Sequence, residues 1–138
     1  MSTPRLAPDQ QQRLLETARC LLDKAYAPFS HFQVGAAVLT QRDGVYGGCN
    51  VENSSYGLTI CAERAAVFAA VGAEGAEMKI RAIAVCARHQ GREQPASPCG
   101  ACRQVIFEFG PEALVLFQST LGPQQVSISD LLPGGFRL

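Results

Sequence analysis

Three cysteines occupy positions in this chain where a thiol is readily converted to a thiolate. Cys61 precedes an alanine-rich segment, and Cys99 and Cys102 form a C-x-x-C pair at the start of another apolar segment. Both segments are predicted to be helices that follow loops, so these cysteines meet unpaired backbone N–H groups and the positive end of a helix dipole. Such surroundings lower a thiol pKa and favour the form that binds metal. The three residues therefore predict a zinc site.

Three protein ligands leave one position of a tetrahedral zinc ion open. An open position is typical of catalytic zinc, which binds and activates water there, whereas structural zinc normally has four protein ligands. His31 and His89 lie in no recognised zinc-ligand spacing. Cys20, Cys49 and Cys86 suit apolar packing better than metal binding. The sequence therefore favours an open site over a closed one.

Two charged residues stand two and three positions after the first cysteine in the predicted helix. Glu63 could reach a metal-bound water without ligating the metal and could move its proton. A lone first-turn acid more often complements the helix dipole, but beside three candidate ligand cysteines the proton-moving role is favoured. Three thiolates give a zinc site negative formal charge, so nearby cations are expected to compensate. We expect Arg64 to hydrogen-bond the ligand thiolates, a plain surface position being the alternative. Arg103, next to Cys102, is a second candidate cation.

The pattern of apolar residues predicts the elements that position these side chains. Helices are expected at 8–25, 60–71 and 100–109, a long loop at 88–98, and strands at 34–40, 45–51, 80–87, 113–117 and 125–129. Strands separated by helices favour parallel pairs with crossovers, here preceded by an antiparallel hairpin. We therefore expect an α/β fold with three layers, α/β/α, and a mixed sheet of about five strands. Residues 1–138 are expected to form a single domain.

Composition narrows the function classes and the compartment. Twelve basic residues balance twelve acidic ones, so we expect no nucleic-acid partner, because phosphate binding needs a basic excess. No apolar run approaches the roughly 20 residues of a membrane span, and residues 1–5 lack the pattern of a signal peptide. We expect a cytoplasmic protein without a membrane partner. Six cysteines could pair as disulfides, but this compartment argues against it.

The two cysteine segments resemble the zinc-dependent cytidine deaminase family. The signature of zinc deaminases is His-x-Glu or Cys-x-Glu followed by Pro-Cys-x-x-Cys. It stands here as Cys61-Ala62-Glu63 and Pro98-Cys99-Gly100-Ala101-Cys102. Segments 26–37, 48–53 and 131–136 are similar to the family's first loop and strand, its ribose-binding strand end and its C-terminal segment. The cysteine as first ligand and the length of 138 residues resemble the short, homotetrameric nucleoside type.

The resemblance implies a role for each matching residue. One zinc per chain would be bound by Cys61, Cys99 and Cys102, and Glu63 would be the catalytic proton carrier. The implied substrate contacts are Asn50 and Glu52 to the ribose 3′-hydroxyl, Phe32 near the base, the Ala62 backbone at the base carbonyl, and Tyr56 and Phe136 reaching a neighbouring subunit's site. Residue type alone would instead place the two polar residues on a solvated strand face and the aromatics in a core or interface.

The implied activity is hydrolytic deamination of cytidine and deoxycytidine to uridine and deoxyuridine plus ammonia. A zinc-bound hydroxide would be the nucleophile, and the role would be pyrimidine salvage in a cytoplasmic homotetramer with sites shared between subunits. Three alternatives stay open. One is a deaminase of another aminopyrimidine nucleoside such as blasticidin S, the second acts on cytosines in RNA, and the third is a non-catalytic zinc module.

Overall fold

The computed structural model describes residues 5–138. Residues Met1 to Pro4, on which the expectation of a missing signal peptide partly rests, lie outside the described residues. The helices are α1 Pro8–Leu22, α2 Ala62–Glu74, α3 Gly100–Phe109 and α4 Ile128–Leu131. The strands are β1 Phe32–Thr40, β2 Val45–Cys49, β3 Ile80–His89, β4 Arg92–Gln94, β5 Leu114–Ser119 and β6 Gly122–Ser127. Within this part of the chain, no helix has the length and apolarity that crossing a membrane requires.

The strands form one mixed sheet with the order β2-β1-β3-β5-β6, and β4 pairs with β3 off this path. Among the strands formed by residues 5–138, only β3 and β5 pair in parallel, and α3 lies in the connection between them, as the crossover prediction requires. Helix α2 joins β2 to β3, yet these two strands are not neighbours because β1 lies between them and pairs antiparallel with both. Residues 35–40 of β1 are buried on both faces, which favours an interior position in the sheet.

The prediction of three layers is confirmed. On one face, Ala36 and Val38 of β1 pack in a cluster with α2 and α3, and on the other face, Ala37 and Leu39 pack in a cluster with α1. This division follows from the alternation of side chains along a strand. The sheet is therefore covered by α1 on one side and by the two helices that begin at the cysteine segments on the other.

Two glycines let the helices approach the sheet closely. A Cβ atom added at Gly48 of β2 would overlap the backbone nitrogen of Ala66 in α2 and lie 2.7 Å from the carbonyl oxygen of Ala62. A Cβ at Gly35 of β1 would overlap the carbonyl oxygen of Ala18 in α1. Gly48 thus sets the depth at which the first two turns of α2 rest on the sheet.

The sheet has six strands because part of the predicted loop 88–98 is a hairpin. Gln90 and Gly91 have φ of 52° and 77°, which suits a two-residue turn between β3 and β4. The polar three-residue strand β4 carries no apolar alternation, so the sequence did not reveal it. Elsewhere α1 ends at Leu22 instead of near residue 25. The expectation that Cys20 is buried is wrong, since this cysteine is exposed.

Candidate active site

Two helix N-termini bring the three predicted cysteine ligands together. Cys61 is the N-cap of α2, Cys99 is the N-cap of α3, and Cys102 lies in the first turn of α3. Their Sγ atoms all lie within 4.8 Å of one another, and those of Cys61 and Cys99 are 3.9 Å apart. Cys102 is buried, whereas Cys99 is exposed. The cluster is therefore open on one side.

The donor set fits one zinc ion per chain. Zinc–thiolate bonds of about 2.3 Å at tetrahedral angles put sulfur atoms roughly 3.8 Å apart, close to the 3.9 Å between two of these sulfurs. Among residues 5–138, no histidine, aspartate or glutamate joins the cluster. His89 instead places Nδ1 3.2 Å from the carbonyl oxygen of His31. A tetrahedral ion held here keeps one position for a non-protein ligand.

The cluster concentrates negative charge on one sulfur. Hydrogen bonding from the Cys102 thiol, assisted by Arg64, lowers the pKa of Cys61 to about 5. The Arg64 Nη2 atom donates to Cys61 Sγ at 3.3 Å, and this contact raises the pKa of the guanidinium. The same thiol–thiolate hydrogen bond, followed by burial, raises the pKa of Cys102. The predicted contact of Arg64 with a ligand sulfur is thus present.

Glu63 is the second residue of α2 and lies in its first turn, beside the cluster but outside its set of ligand atoms. Its residue surface is only 5 % exposed. Burial, with a contribution from the negative charge of Cys61, raises the pKa of Glu63 to about 7. A carboxyl group with a pKa near neutral can both accept and release a proton at physiological pH.

The segment that contains Asn50 and Glu52 lies between two other parts of the chain. Val51 exchanges two backbone hydrogen bonds of 3.0 Å with Ile60, the residue that precedes the first cysteine ligand. On the other side, the Tyr26 N–H donates to the Asn50 carbonyl at 3.0 Å, and the Glu52 N–H donates to the Tyr26 carbonyl at 2.8 Å. The predicted ribose-binding segment is therefore connected to the start of α2 by backbone hydrogen bonds.

Asn50 is buried and holds the start of β1. Its Oδ1 accepts from the Val34 N–H at 2.8 Å, and its Nδ2 donates to the Phe32 carbonyl at 2.8 Å. The alternative of a solvated strand face is wrong for Asn50, which is only 8 % exposed. Phe32 itself is half-buried. Asn50 and Phe32 are thus brought into contact across 18 residues of sequence.

The Glu52 carboxylate is held by the loop that precedes β1. Its Oε1 accepts from the backbone N–H groups of Phe29 and Ser30 at 3.0 and 3.2 Å, and its Oε2 accepts from the Ser30 hydroxyl. The hydrogen bond from Ser30 is the main cause that lowers the pKa of Glu52. The sequence analysis did not identify Ser30 as a site residue. A serine hydroxyl is a suitable hydrogen-bond donor to a carboxylate, but Glu52 lies 22 residues further along the chain.

The remaining predicted contacts lie in different surroundings. Ala62 is fully buried in the first turn of α2, whereas Tyr56 and Phe136 are 74 % and 69 % exposed. Tyr56 packs edge-on against Phe29 with ring centroids 5.5 Å apart. Together with Glu52 it lines an open cavity of about 330 Å³. The Phe136 ring has no such cover in the single chain.

Arg103 differs from the expectation that it compensates thiolate charge. Its guanidinium donates to the Pro98 carbonyl at 2.7 Å, the Leu131 carbonyl at 2.9 Å and the Ser97 hydroxyl at 3.3 Å. These are neutral acceptors. Ser97 and Pro98 lie in the connection before α3, and Leu131 is the last residue of α4. The sequence could not reveal this arrangement, because Leu131 lies 28 residues away along the chain.

Comparison with known proteins gives a consistent result. The family described as the cytidine and deoxycytidylate deaminase zinc-binding region matches residues 8–118. A curated cytidine deaminase from Halalkalibacterium halodurans is 44 % identical over 128 residues, which are 91 % of this chain and 93 % of that protein. One from Sporosarcina psychrophila is 42 % identical over 127 residues, 91 % of this chain and 90 % of that protein.

The fold comparison agrees with the sequence comparison. The crystal structure of cytidine deaminase from Burkholderia pseudomallei superposes with a TM-score of 0.80 at 45 % identity, covering 91 % of this chain and 98 % of that one. The matched region includes both cysteine segments and the buried glutamate between them. This chain therefore belongs to the zinc-dependent cytidine and deoxycytidylate deaminase family.

Proposed function

We propose that this protein catalyses the hydrolytic deamination of cytidine and deoxycytidine to uridine and deoxyuridine, with release of ammonia. The observation that carries the proposal is the cluster of three cysteine sulfurs within 4.8 Å beside a buried Glu63 whose pKa is about 7. A non-catalytic zinc module has no use for a buried carboxyl group next to an incompletely filled metal site. Membership of the deaminase family supports the same reaction.

Glu63 is the proton carrier in this proposal. A zinc ion bound by Cys61, Cys99 and Cys102 supplies the Lewis acidity that makes water nucleophilic at neutral pH. Glu63 accepts a proton from the water that attacks C4 and delivers it to the ring nitrogen. It then carries the proton of the new C4 hydroxyl to the amino group, and the C4–N bond breaks to leave the C4 carbonyl and ammonia. Its pKa of about 7 suits both directions of transfer, because the group is neither strongly acidic nor strongly basic.

Asn50 and Glu52 are proposed to hold the ribose. The loop fixes the Glu52 carboxylate through three hydrogen bonds, yet each carboxylate oxygen accepts further bonds. The Asn50 amide uses one donor and one acceptor on β1, which leaves it one further N–H for a sugar hydroxyl. Phe32 and the Ala62 backbone are proposed contacts of the base.

We further propose a cytoplasmic homotetramer that acts in pyrimidine salvage, with Tyr56 and Phe136 completing the site of a neighbouring subunit. The support is their exposure, 74 % and 69 %, which is unusual for rings of this size in an isolated chain. Three further exposed apolar side chains, Leu58, Phe68 and Tyr26, add to the surface available for subunit contact. Each chain is proposed to form a single domain.

The decisive experiment follows loss of cytosine absorbance when purified protein of measured zinc content is mixed with cytidine. Glu63→Gln is assayed in parallel, with Glu77→Gln at an exposed position as the matched control. We expect turnover in the wild type and the control, and a loss of at least 100-fold in Glu63→Gln with zinc retained. A wild type that holds one zinc per chain without turning over cytidine would overturn the proposal. A panel with blasticidin S and cytosine-containing RNA then separates the alternatives.

A further inference from the structure

Arg103 connects two parts of the chain that the proposed mechanism treats separately. Through Nε it donates to the carbonyl of Pro98, the residue before the ligand Cys99. Through Nη1 it donates to the carbonyl of Leu131, the last residue of α4. One side chain thus contacts the loop that leads into the metal cluster and the point where residues 132–138, here called the C-terminal segment, begin.

Helix α3 has two further contacts with the C-terminal segment. Gln104 Nε2 lies 3.4 Å from the carbonyl oxygen of Phe136, and Glu108 Oε2 accepts from Arg137 Nε at 3.2 Å. The ion pair with Arg137 is substantially exposed and contributes little to stability. The partly buried 2.9 Å bond from Arg103 to the Leu131 carbonyl is therefore the main polar link between α3 and this end of the chain.

We propose that Arg103 is a positioning residue that couples metal binding to the placement of the C-terminal segment. Bound zinc would fix Cys99, the N-cap of α3, and Cys102 in its first turn, and Arg103 follows Cys102 directly in the chain. The planar guanidinium then holds both carbonyls in one fixed geometry, which a single ammonium group cannot do. The inference rests on the proposed zinc site and assigns a function to a residue outside the ligand set.

Coupling of this kind is reciprocal. If bound zinc orders the C-terminal segment through Arg103, the ordered segment must strengthen zinc binding by the same factor. Couplings in proteins typically amount to 5- to 150-fold, and substitutions in the shell around metal ligands change affinity about 10- to 100-fold. An effect of about 10-fold on each side is therefore expected.

Amide hydrogen exchange measures the first half of the coupling. The amides of Leu132 and Gly135 donate to the carbonyls of Ile128 and Leu132, each at 3.0 Å, so their exchange reports local opening. In wild-type protein, removal of zinc is expected to speed exchange of these two amides about 10-fold. The backbone amide of Ala84, in the centre of β3, should stay protected from exchange, which would show that the fold persists.

Arg103→Gln tests whether the arginine carries the effect. In this variant the two C-terminal amides are expected to exchange rapidly with and without zinc, and a chromogenic chelator should remove zinc about 10-fold faster. Arg137→Gln, which breaks only the exposed ion pair, should behave like the wild type in both assays. Arg103→Lys replaces Arg103→Gln if circular dichroism shows that the glutamine variant does not fold.

Three results would overturn the inference. The first is that exchange at Leu132 and Gly135 in the wild type does not change when zinc is removed. The second is that the zinc-dependent change in exchange persists in Arg103→Gln. The third is that exchange at Ala84 rises equally, which would indicate general unfolding. None of these measurements uses cytidine. A protein that shows the coupling but does not deaminate cytidine would therefore overturn the proposed function alone.

Discussion

Gly48→Ala is expected to displace the start of α2 and to weaken zinc binding. The added Cβ would overlap the backbone nitrogen of Ala66 and would lie 2.7 Å from the Ala62 carbonyl oxygen and 2.9 Å from the carbonyl carbon of Ala65. All three neighbours are backbone atoms of one helix, so no side chain can rotate away. The helix itself must move away from the sheet.

The size of the effect follows from these contacts. Ordinary contacts of a Cβ atom begin at 3.4 Å, so the contact with the Ala62 oxygen alone is short by the difference between 3.4 and 2.7 Å. A retreat of that size loosens the packing of Ala62 and Ala66, both fully buried. Overpacking with such backbone shifts costs about 2–3 kcal/mol. Cys61, the N-cap of the same helix, moves with it.

Two other glycines in the chain provide matched controls. Gly35→Ala forces α1 away from the opposite face of the sheet, so it should lose similar stability but keep its zinc. Gly72→Ala, inside α2 with no atom within 4 Å of the new Cβ, should gain up to about 1 kcal/mol of helix stability. Urea unfolding gives the stabilities, and a chromogenic chelator gives the rate of zinc loss, expected to rise at least 10-fold in Gly48→Ala. Equal rates of zinc loss in Gly48→Ala and Gly35→Ala would refute the reasoning.

Three further substitutions test individual side chains. In zinc-free protein, burial holds the pKa of Glu63 at about 7, above its ordinary value of 4.5, so its ionisation destabilises the fold increasingly between these pH values. Glu63→Gln should therefore raise the free energy of unfolding in urea by about 1 kcal/mol at pH 5 and about 3 kcal/mol at pH 8. Arg64→Gln removes the 3.3 Å contact with Cys61 Sγ and should speed zinc loss to a chelator about 10- to 100-fold. Ser30→Ala removes a hydrogen bond to Glu52 and should raise KM for cytidine about 10-fold with kcat nearly unchanged, measured by steady-state kinetics.

Each of these three has a control and a contrary result. Glu77→Gln should give no pH-dependent gain, and an equal gain for Glu63→Gln at pH 5 and pH 8 would contradict the raised pKa. Unchanged zinc loss and turnover in Arg64→Gln would remove its role, with Arg13→Gln on exposed α1 surface as control. For Ser30→Ala, Thr17→Ala removes a comparable hydroxyl bond far from the cluster. A fall in kcat without a rise in KM would assign Ser30 to another role.

Much of the fold could be predicted because its signals are local. The helices that begin next to Cys61 and Cys99 follow from apolar periodicity, and both were placed within a few residues. Gly110 ends α3 as expected, whereas the expectation that Gly72 ends α2 is wrong, because this helix continues through it to Glu74. The order of strands could not be read in the same way. Strand β1 lies between β2 and β3 because its residues are apolar on both faces, a property that shows which strand is central but not which neighbours it takes.

The metal cluster was predictable for the same reason, because the spacing of Cys99 and Cys102 places both at one helix end. The contacts that surround the cluster were harder to predict from the sequence. From the sequence, a surface position for Arg64 was as well supported as a contact with a ligand sulfur. The hydrogen bond from its guanidinium to Cys61 Sγ favours the contact. The contacts of Arg103 were beyond prediction, because the Leu131 carbonyl comes beside it only through packing of α4 against α3.

The wide separation of the metal ligands along the chain has a consequence for synthesis. The structure places Cys61 and Cys99 side by side although 38 positions separate them in sequence. At about 5–20 residues per second, the first thiol is incorporated roughly 2–8 s before the second. The complete ligand set does not exist during that interval, so zinc capture has to follow synthesis of the C-x-x-C pair. The first thiol therefore depends on a reducing environment to stay competent for metal.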